Sequence, residues 1–249
     1  MNATGISTQP TPGHTIEKPN GLMHMARGAA KSLLGSAIVR RPVTNAFHIV
    51  SYHSPDTWQK NTFLGYPILQ GPIDLYLYQE LIYRLKPAFI LQTGIAGGGS
   101  LLYFATLLDL IGAPTRAVVA GIDIDLSDSA LTLTHSRIRM FHGSSTDPEI
   151  VSTVREALPP GTGLVVLDSD HSCAHVRKEL SIYSDFVGVG SYLVCEDTNI
   201  NGHPVNPFWG PGPHEAMRDF LEHDKRFIND EPLWRRNLFT HHGWMRRVA

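Results

Sequence analysis

The sequence has too few cysteines and too little apolar continuity for several specialised classes of protein. Only two cysteines, Cys173 and Cys195, occur in 249 residues, and such a chain is not a disulfide-stabilised scaffold. We therefore predict free thiols in a reducing cytoplasm. No apolar run approaches the roughly 18 residues that span a bilayer, and no apolar segment follows a basic start at the N-terminus. Neither a transmembrane helix nor a signal peptide is predicted.

An excess of positive charge is also missing. The chain has 21 lysine and arginine residues against 23 acidic residues, so its formal net charge is −2. A nucleic-acid-binding surface needs basic residues in excess, and we therefore expect no nucleic acid partner. Residues 1–20 are rich in Thr, Pro and Gly and are predicted to form a disordered N-terminal segment.

Apolar residues recur at three- and four-residue steps over residues 22–41, as in an amphipathic helix with a basic polar side. We predict a helical extension over residues 21–62, followed by the main domain over residues 63–249. This helix would pack on the main domain or on a neighbouring subunit, so we expect a homodimer or a higher homo-oligomer. A helix on a membrane surface is the alternative.

Strands and helices alternate through the middle of the chain. Short apolar strands are predicted at residues 89–91, 117–124, 138–141, 163–167 and 191–195, with helical patterns between them. Such alternation is typical of an α/β fold with a Rossmann-like, mostly parallel, doubly wound sheet. A closing pair of strands near Phe239 and Trp244 would add an antiparallel strand. Ligands of these folds bind at the carboxyl ends of the strands.

The loop after the first of these strands, residues 94–100, is rich in glycine. Such a loop lets the backbone approach a ligand beside a helix N-terminus. The dinucleotide-binding fingerprint G-x-G-x-x-G is not present. A match that starts at Gly94 has Ala96 in place of the middle glycine, and a match that starts at Gly97 has Leu102 in place of the last. A P-loop is excluded as well, because no Gly-Lys-Ser/Thr follows. A nucleoside without pyrophosphate, such as S-adenosylmethionine (SAM), fits better, with Gly94, Ala96 and Ser100 as candidate contacts. A turn that serves packing alone is the alternative.

Polar residues at the next two strand ends extend this candidate site. Asp123 is placed to accept hydrogen bonds from ribose hydroxyls, and Asp125 is the alternative partner. Ser144 and Ser145 could contact an adenine edge, whereas Ser145 or Asp147 could instead cap the following helix.

Acidic residues follow two further strands. Asp168 comes after residues 163–167, and Glu196 and Asp197 come after residues 191–195. If these strands are neighbours, the three carboxylates meet and repel one another unless a cation binds between them. Oxygen ligands favour Mg²⁺ or Mn²⁺ over zinc. Capping of helices or exposure in loops is the alternative for any one of these acids.

A histidine stands three residues after the first of these acids. His171 can accept a hydroxyl proton near neutral pH, and it is the candidate catalytic base beside Asp168. His142 and His203 are the alternatives.

Two further segments are candidates for the walls of the site. Residues 199–212 contain Asn201, His203 and Trp209 and are predicted to contact an acceptor, together with His142. Residues 58–70 are a candidate lid across the cofactor.

Six motifs share a pattern with a known family. They lie at residues 79–82, 94–100, 121–125, 168–171, 196–203 and 210–216. Together they resemble the cephalosporin hydroxylase / rhamnosyl O-methyltransferase family from about Phe63 onward. The resemblance implies the SAM methyltransferase fold, with SAM on Gly94, Asp123 and Ser144. Asp168 is a further candidate contact of the cofactor. It also implies a magnesium ion on Asp168, Glu196 and Asp197.

The resemblance further implies Mg²⁺-assisted methyl transfer to a sugar hydroxyl of a glycolipid, polysaccharide or glycosylated natural product of actinobacteria. A more distant likeness to catechol-type O-methyltransferases places a lysine base where this chain has His171. A non-catalytic nucleoside-binding module and an iron and 2-oxoglutarate hydroxylase are the competing functions. The hydroxylase is disfavoured, because none of the 13 histidines is followed two positions later by an acid.

Overall fold

The computed structural model describes residues 21–249. The segment predicted to be disordered, residues 1–20, lies outside the described residues. Contacts divide the described chain into two compact units, residues 21–43 and residues 44–249, and the domain boundary predicted after residue 62 stays a prediction. Within residues 21–249, no helix is long and apolar enough to cross a membrane.

Two helices replace the single helix predicted over residues 22–41. Helix α1 spans Gly21–Gly35 and helix α2 spans Ala37–His53. The hydroxyl of Ser36 between them donates a hydrogen bond to the Leu33 carbonyl (2.6 Å), a local bond of the kind by which serine competes with helix continuation. The expected oligomer stays a prediction.

A two-stranded hairpin precedes the main sheet. Its strands are β1, Thr62–Phe63, and β2, Tyr66–Pro67. The main sheet contains β3 (Phe89–Thr93), β4 (Val118–Asp123), β5 (Ile138–His142), β6 (Gly163–Leu167), β7 (Tyr192–Cys195), β8 (Phe227–Asn229) and β9 (Trp244–Arg247). The spatial order is β5-β4-β3-β6-β7-β9-β8, and the first five strands of this order are parallel. The antiparallel pairing of β9 with β7 confirms the predicted mixed sheet.

Helices cover both faces of this sheet. They are α3 (Pro72–Leu85), α4 (Gly99–Leu110), α5 (Asp128–Leu131), α6 (Pro148–Ala157), α7 (Cys173–Tyr183), α8 (Pro213–His223) and α9 (Glu231–Trp234), with 3₁₀ turns at Trp58–Lys60 and Ser184–Phe186. Side chains alternate along each strand, so Ile90 joins the core under α3 and α4 while Leu91 joins the core under α7 and α8. Burial on both faces explains why the parallel strands are apolar throughout.

The chain reverses its winding direction at β3, which lies between β4 and β6. Thr93 at the end of β3 pairs with Ile122 on one side and with Leu167 on the other, and Leu167 pairs with Cys195. The loops after β3, β4, β6 and β7 therefore leave the sheet at one level. A crevice between diverging loops is expected at this switch point.

The predicted closing pair of strands is partly wrong. Trp244 lies in β9 as expected, but the antiparallel partner is β8, and Phe239 lies in a turn between them. The intervening segment contains α9, whose first turn is capped by the Asp230 carboxylate accepting from the Leu233 N–H (3.1 Å). This four-residue helix is too short to show a helical period in the sequence.

Candidate active site

A cavity of about 970 Å³ opens at the carboxyl ends of the parallel strands. Every one of the five parallel strands contributes a polar or glycine residue to its lining, within the unit formed by residues 44–249. These residues are Gly94 after β3, Asp123 at the end of β4, Ser144 after β5, Asp168 after β6 and Glu196 after β7. The strand order therefore brings the predicted nucleoside and metal residues to one space.

The glycine loop packs closely against the loop after β6. Gly94 has φ 73°, and a Cβ at this position would overlap the Asp168 carbonyl oxygen. Side chains on Gly97 and Gly99 would collide with Pro67 of β2. These glycines permit close backbone packing as well as approach to a ligand. The loop therefore serves packing, and Gly94 and Ala96 also line the cavity.

Asp123 ties its own strand end to the glycine loop. Its Oδ2 accepts hydrogen bonds from the N–H groups of Ile95 (2.8 Å) and Ala96 (3.1 Å), and its Oδ1 accepts from Asp125 N–H (3.0 Å). Asp123 lines the cavity and Asp125 does not. A carboxylate has about four acceptor positions, so Asp123 can hold the loop and still accept from ribose hydroxyls.

The small polar residues after β5 face the same space. Ser144 and Ser145 line the cavity, as does the buried Ser100. The Ser145 hydroxyl lies 3.1 Å from His175 Nε2. Asp147 supplies the cap of α6, because its carboxylate accepts from the Glu149 N–H (2.8 Å). Because Asp147 caps α6, neither serine is needed as the cap, and both remain available to a ligand.

Two acids and the candidate base form a compact group at the centre of the cavity. One potential ligand atom from each of Asp168, His171 and Asp197 lies within 4.8 Å of the others. His171 Nε2 is 3.0 Å from Asp197 Oδ2 and 3.7 Å from Asp168 Oδ1, but neither contact has hydrogen-bond geometry. This nitrogen is free to bind a cation or a proton.

Glu196 is held beside this group by two residues from distant segments. The Tyr78 hydroxyl donates a hydrogen bond to Glu196 Oε1, and His241 Nε2 lies 2.9 Å from Oε2. His241 Nδ1 accepts from the Gly243 N–H (3.1 Å), which leaves Nε2 as the protonated nitrogen that faces Glu196. Both carboxylate oxygens of Glu196 are therefore oriented.

Burial and mutual repulsion disturb the ionisation of the cluster. Burial raises the pKa of Asp168 to about 7; the neighbouring His171 opposes this shift, and the charges of Glu196 and Asp197 support it. Burial, together with the charge of Glu196, also raises the pKa of Asp74 to about 7 and raises the pKa of Asp197. A divalent cation bound among these acids would favour their ionised forms.

The donor set fits Mg²⁺ or Mn²⁺. Asp168, Glu196 and Asp197 offer carboxylate oxygens, the ligands that these cations prefer. Asp74 Oδ1 is a further buried oxygen without a hydrogen-bond partner in the described part of the chain. Neither cysteine competes for the cation, because Cys173 and Cys195 are both absent from the cavity lining.

Four residues predicted to contact the acceptor lie elsewhere. His142, Asn201, His203 and Trp209 are absent from the cavity lining. His142 is exposed and bonds to the Ile124 carbonyl (3.0 Å), His203 Nε2 lies 2.5 Å from Glu215 Oε1, and Trp209 is 61% exposed. Of the loop after β7, Glu196, Asp197 and Asn199 line the cavity. Of the three candidate bases, only His171 is at the carboxylates.

Sequence reasoning missed several residues of the site. Asp74 and Tyr78 come from α3, where their spacing is that of an ordinary core-facing helix. His241 precedes β9. The adjacent histidines His241 and His242, just before the last strand, are the sequence signal that could have identified it. The candidate lid over residues 58–70 contributes Trp58 and Asn61 to the lining, and Thr57, directly before it, is a further lining residue that was missed.

The family model for "Rhamnosyl O-methyltransferase/CmcI" matches residues 55–248. The chain belongs to this family. It is accordingly an O-methyltransferase, and the resemblance found in the sequence motifs is confirmed. The match begins a few residues before Phe63, where the sequence motifs placed it.

Relatives of this O-methyltransferase occur in mycobacteria. It is 36% identical over 200 residues to the rhamnosyl O-methyltransferase of Mycobacterium tuberculosis (strain ATCC 25618 / H37Rv), which covers 78% of each chain. It is 35% identical over 182 residues to the rhamnosyl O-methyltransferase of Mycobacterium leprae (strain TN), covering 70% of this chain and 79% of that one.

A solved structure of CmcI with Mg and SAM has the same fold. It matches with a TM-score of 0.59 and 21% identity, over 80% of this chain and 84% of that one. The SAM methyltransferase fold predicted from the sequence is therefore confirmed. This α/β sheet also disagrees with the barrel expected of an iron and 2-oxoglutarate hydroxylase.

Proposed function

We propose that this O-methyltransferase uses SAM and Mg²⁺ to methylate a hydroxyl group of a neutral sugar unit. The observation that carries the proposal is the single cavity that joins Gly94 and Asp123 to the carboxylate cluster. Methyl transfer with a metal needs this proximity, because the methyl carbon and the acceptor oxygen must meet. The CmcI structure that shares the fold holds Mg and SAM, and the mycobacterial relatives are named as rhamnosyl O-methyltransferases.

The nucleoside end of the cavity would hold SAM through backbone and small side chains. Gly94 and Ala96 bring the loop backbone to the cavity wall, and Asp123 accepts from the ribose hydroxyls. Ser144 and Ser145 line the same cavity and would contact the adenine edge. The Asp123 carboxylate has a second function, because its bonds to two loop N–H groups hold the loop in its ligand-binding shape.

Asp168, Glu196 and Asp197 would hold the magnesium ion. When bound, the ion lowers the pKa of the acceptor hydroxyl and helps to orient its oxygen. His171 Nε2, which lies beside two of these acids, takes the hydroxyl proton. The acceptor oxygen forms a bond to the methyl carbon as the carbon–sulfur bond breaks, and S-adenosylhomocysteine (SAH) leaves with the sulfur electron pair. Tyr78 and His241 keep Glu196 oriented throughout.

The charge of the cavity favours a neutral acceptor. Across the described residues, neither lysine nor arginine lines the cavity, although acids are numerous there. A nucleoside diphosphate sugar would bring two phosphates to a cavity wall that offers several acids and no lysine or arginine side chain to bind them, which is unfavourable. A sugar already transferred to a lipid, an oligosaccharide or polysaccharide, or a natural product has no such charge near the ring.

A methyl-transfer assay with labelled SAM tests this function. Purified protein with Mg²⁺ is offered neutral rhamnosides and mannosides, the matching nucleoside diphosphate sugars, and catechol. We expect label on the neutral glycosides, loss of transfer after chelation, and recovery with Mg²⁺ or Mn²⁺. Label on catechol alone, label on the nucleoside diphosphate sugars alone, or no label at all would contradict the proposal.

A further inference from the structure

One wall of the cavity comes from a segment outside the family match. Phe47, His48, Ser51 and Tyr52, all in the second half of α2, line the cavity. The family model begins at residue 55, so the shared sequence pattern assigns nothing to these side chains. They belong to the same compact unit as the rest of the site, residues 44–249.

This wall lies on the side of the cavity away from the nucleoside end. The nucleoside residues follow β3, β4 and β5, on one side of the β6 and β7 strand ends that supply the acids. His48 Nδ1 lies 3.0 Å from the side-chain nitrogen of Asn199, which follows β7. Phe47 packs on Phe239, which precedes β9, with 4.3 Å between ring centroids. The acids therefore lie between the nucleoside end and the α2 wall.

His48 is suited to donate a hydrogen bond. Because the Asn199 amide donates to Nδ1, the neutral imidazole carries its proton on Nε2, for which residues 21–249 provide no hydrogen-bond partner. Burial lowers the pKa of His48 to about 4, with the charges of His241 and His242 in support. The side chain is thus a neutral donor rather than a base.

Aromatic rings surround this donor. Besides the Phe47–Phe239 pair, Tyr52 packs on Trp58 with 5.5 Å between ring centroids, and burial and the nearby charge of Asp197 raise the pKa of the Tyr52 hydroxyl. Tyr52 lines the same cavity as these acids. Aromatic faces beside neutral hydrogen-bonding groups suit a ligand with an apolar C–H face and hydroxyls at its edge, which is the chemistry of a sugar ring.

We infer that residues 44–53 form the acceptor-binding wall, in which His48 donates a hydrogen bond to the sugar and Phe47 packs against its ring. This inference rests on the proposed methylation of a sugar. It assigns acceptor recognition to α2 in place of Asn201, His203 and Trp209, which are outside the cavity lining.

Steady-state kinetics with the best neutral glycoside tests the α2 wall. The variants are His48→Ala, Phe47→Ala and, as the matched control, His53→Ala, which removes an exposed histidine at the end of the same helix. We expect acceptor KM to rise about tenfold or more in the first two, with SAH affinity and the Mg²⁺ requirement within about twofold of wild type. His48→Gln retains a donor and is expected to recover part of the loss.

The outcomes separate this inference from the function on which it rests. Unchanged acceptor KM in both His48→Ala and Phe47→Ala would overturn the inference and leave sugar methylation intact. An equal loss of SAH affinity in His48→Ala would also overturn it, because the residue would then support the whole site. A wild-type protein that binds SAH and Mg²⁺ but methylates no glycoside would refute the proposed function itself. If His48→Ala does not fold, His48→Leu and Phe47→Leu provide the same comparison, because leucine removes the donor or the ring but fills more of the space.

Discussion

At the scale of single residues, the acids of the site differ in how firmly they are held. Glu196 is only 7% exposed and has an oriented partner at each oxygen, Tyr78 and His241. Burial opposes ionisation, but the electrostatic interaction with His241 and the hydrogen bonds of both partners lower the pKa of Glu196. Glu196 therefore favours the anionic form beside acids whose pKa values are raised, which makes it the most constant of the proposed metal ligands.

Removing the Tyr78 hydroxyl tests this orientation. Tyr78→Phe keeps the ring in the core but takes one donor from Glu196. Partners of metal ligands typically contribute 10–100-fold to metal affinity or activity, so we expect the Mg²⁺ concentration for half-maximal activity to rise by at least about tenfold. A Mg²⁺ titration of methyl transfer measures this.

The matched control is Tyr83→Phe, on the exposed side of the same helix. We expect this variant to have the wild-type Mg²⁺ requirement. If Tyr78→Phe also keeps the wild-type requirement while remaining folded, Glu196 needs no orienting partner and the description of the metal site is incorrect.

At the scale of elements, the glycine loop and the loop after β6 are built around each other. The Gly94 N–H donates to the Ile122 carbonyl (2.8 Å), and the Asp168 N–H donates to the Thr93 carbonyl (3.0 Å). These bonds extend the ladders of β3 beyond its last residue, and they bring the nucleoside loop directly against the first metal-binding acid. The proposed SAM site and the proposed metal site are therefore joined by backbone contacts at the end of β3.

Gly94→Ala tests this contact. The substitution combines an unfavourable left-handed conformation with overlap of the Asp168 carbonyl, and we expect it to lower the free energy of unfolding by about 3 kcal/mol or more. We also expect loss of SAH binding. Denaturant unfolding and calorimetry measure the two effects.

Gly112→Ala is the control for conformation alone, because Gly112 has φ 65° and no atom within 4 Å of an added Cβ. A cost of about 1–2 kcal/mol with normal SAH binding is expected. Equal effects of the two substitutions would show that the contact with Asp168 has no importance.

Most elements of the sheet could be predicted from sequence, but their partners could not. The strand over residues 163–167 and the helix over residues 148–157 match the structure at both ends, because apolar runs bounded by Pro and Gly define them. The hairpin β1–β2 was missed, since strands of two residues have no periodicity. β8 was placed wrongly, because nothing local in the sequence identifies the partner of an antiparallel strand.

Local sequence also limits how much of the site can be predicted, because it does not show which distant residues meet. Asp123, Asp168 and Asp197 could be found because each follows an apolar strand, and parallel strands end at one level. Tyr78 and His48 lie in helices at positions typical of packing residues, and only the folded structure brings them to the acids. His203 stands in a distinctive motif, but its side chain is paired with Glu215 and does not line the cavity.

At the scale of the whole molecule, one cavity contains a nucleoside end, a carboxylate cluster and the α2 wall in that order. The order follows from the sheet, because β5, β4 and β3 lie on one side of β6 and β7, and β9 lies on the other. A methyl group carried by a nucleoside would meet an acceptor at the acids between them. We therefore propose that the nucleoside end and the carboxylate cluster act as one site.

Calorimetric titration with SAH, in the presence and absence of Mg²⁺, tests this claim most directly. It compares wild type with Asp123→Ala and with Asp125→Ala, whose side chain is outside the cavity lining. We predict micromolar binding to wild type and Asp125→Ala, binding lost in Asp123→Ala, and a measurable Mg²⁺ effect that disappears in Asp168→Asn. Absence of SAH binding to wild type under both metal conditions would contradict the account.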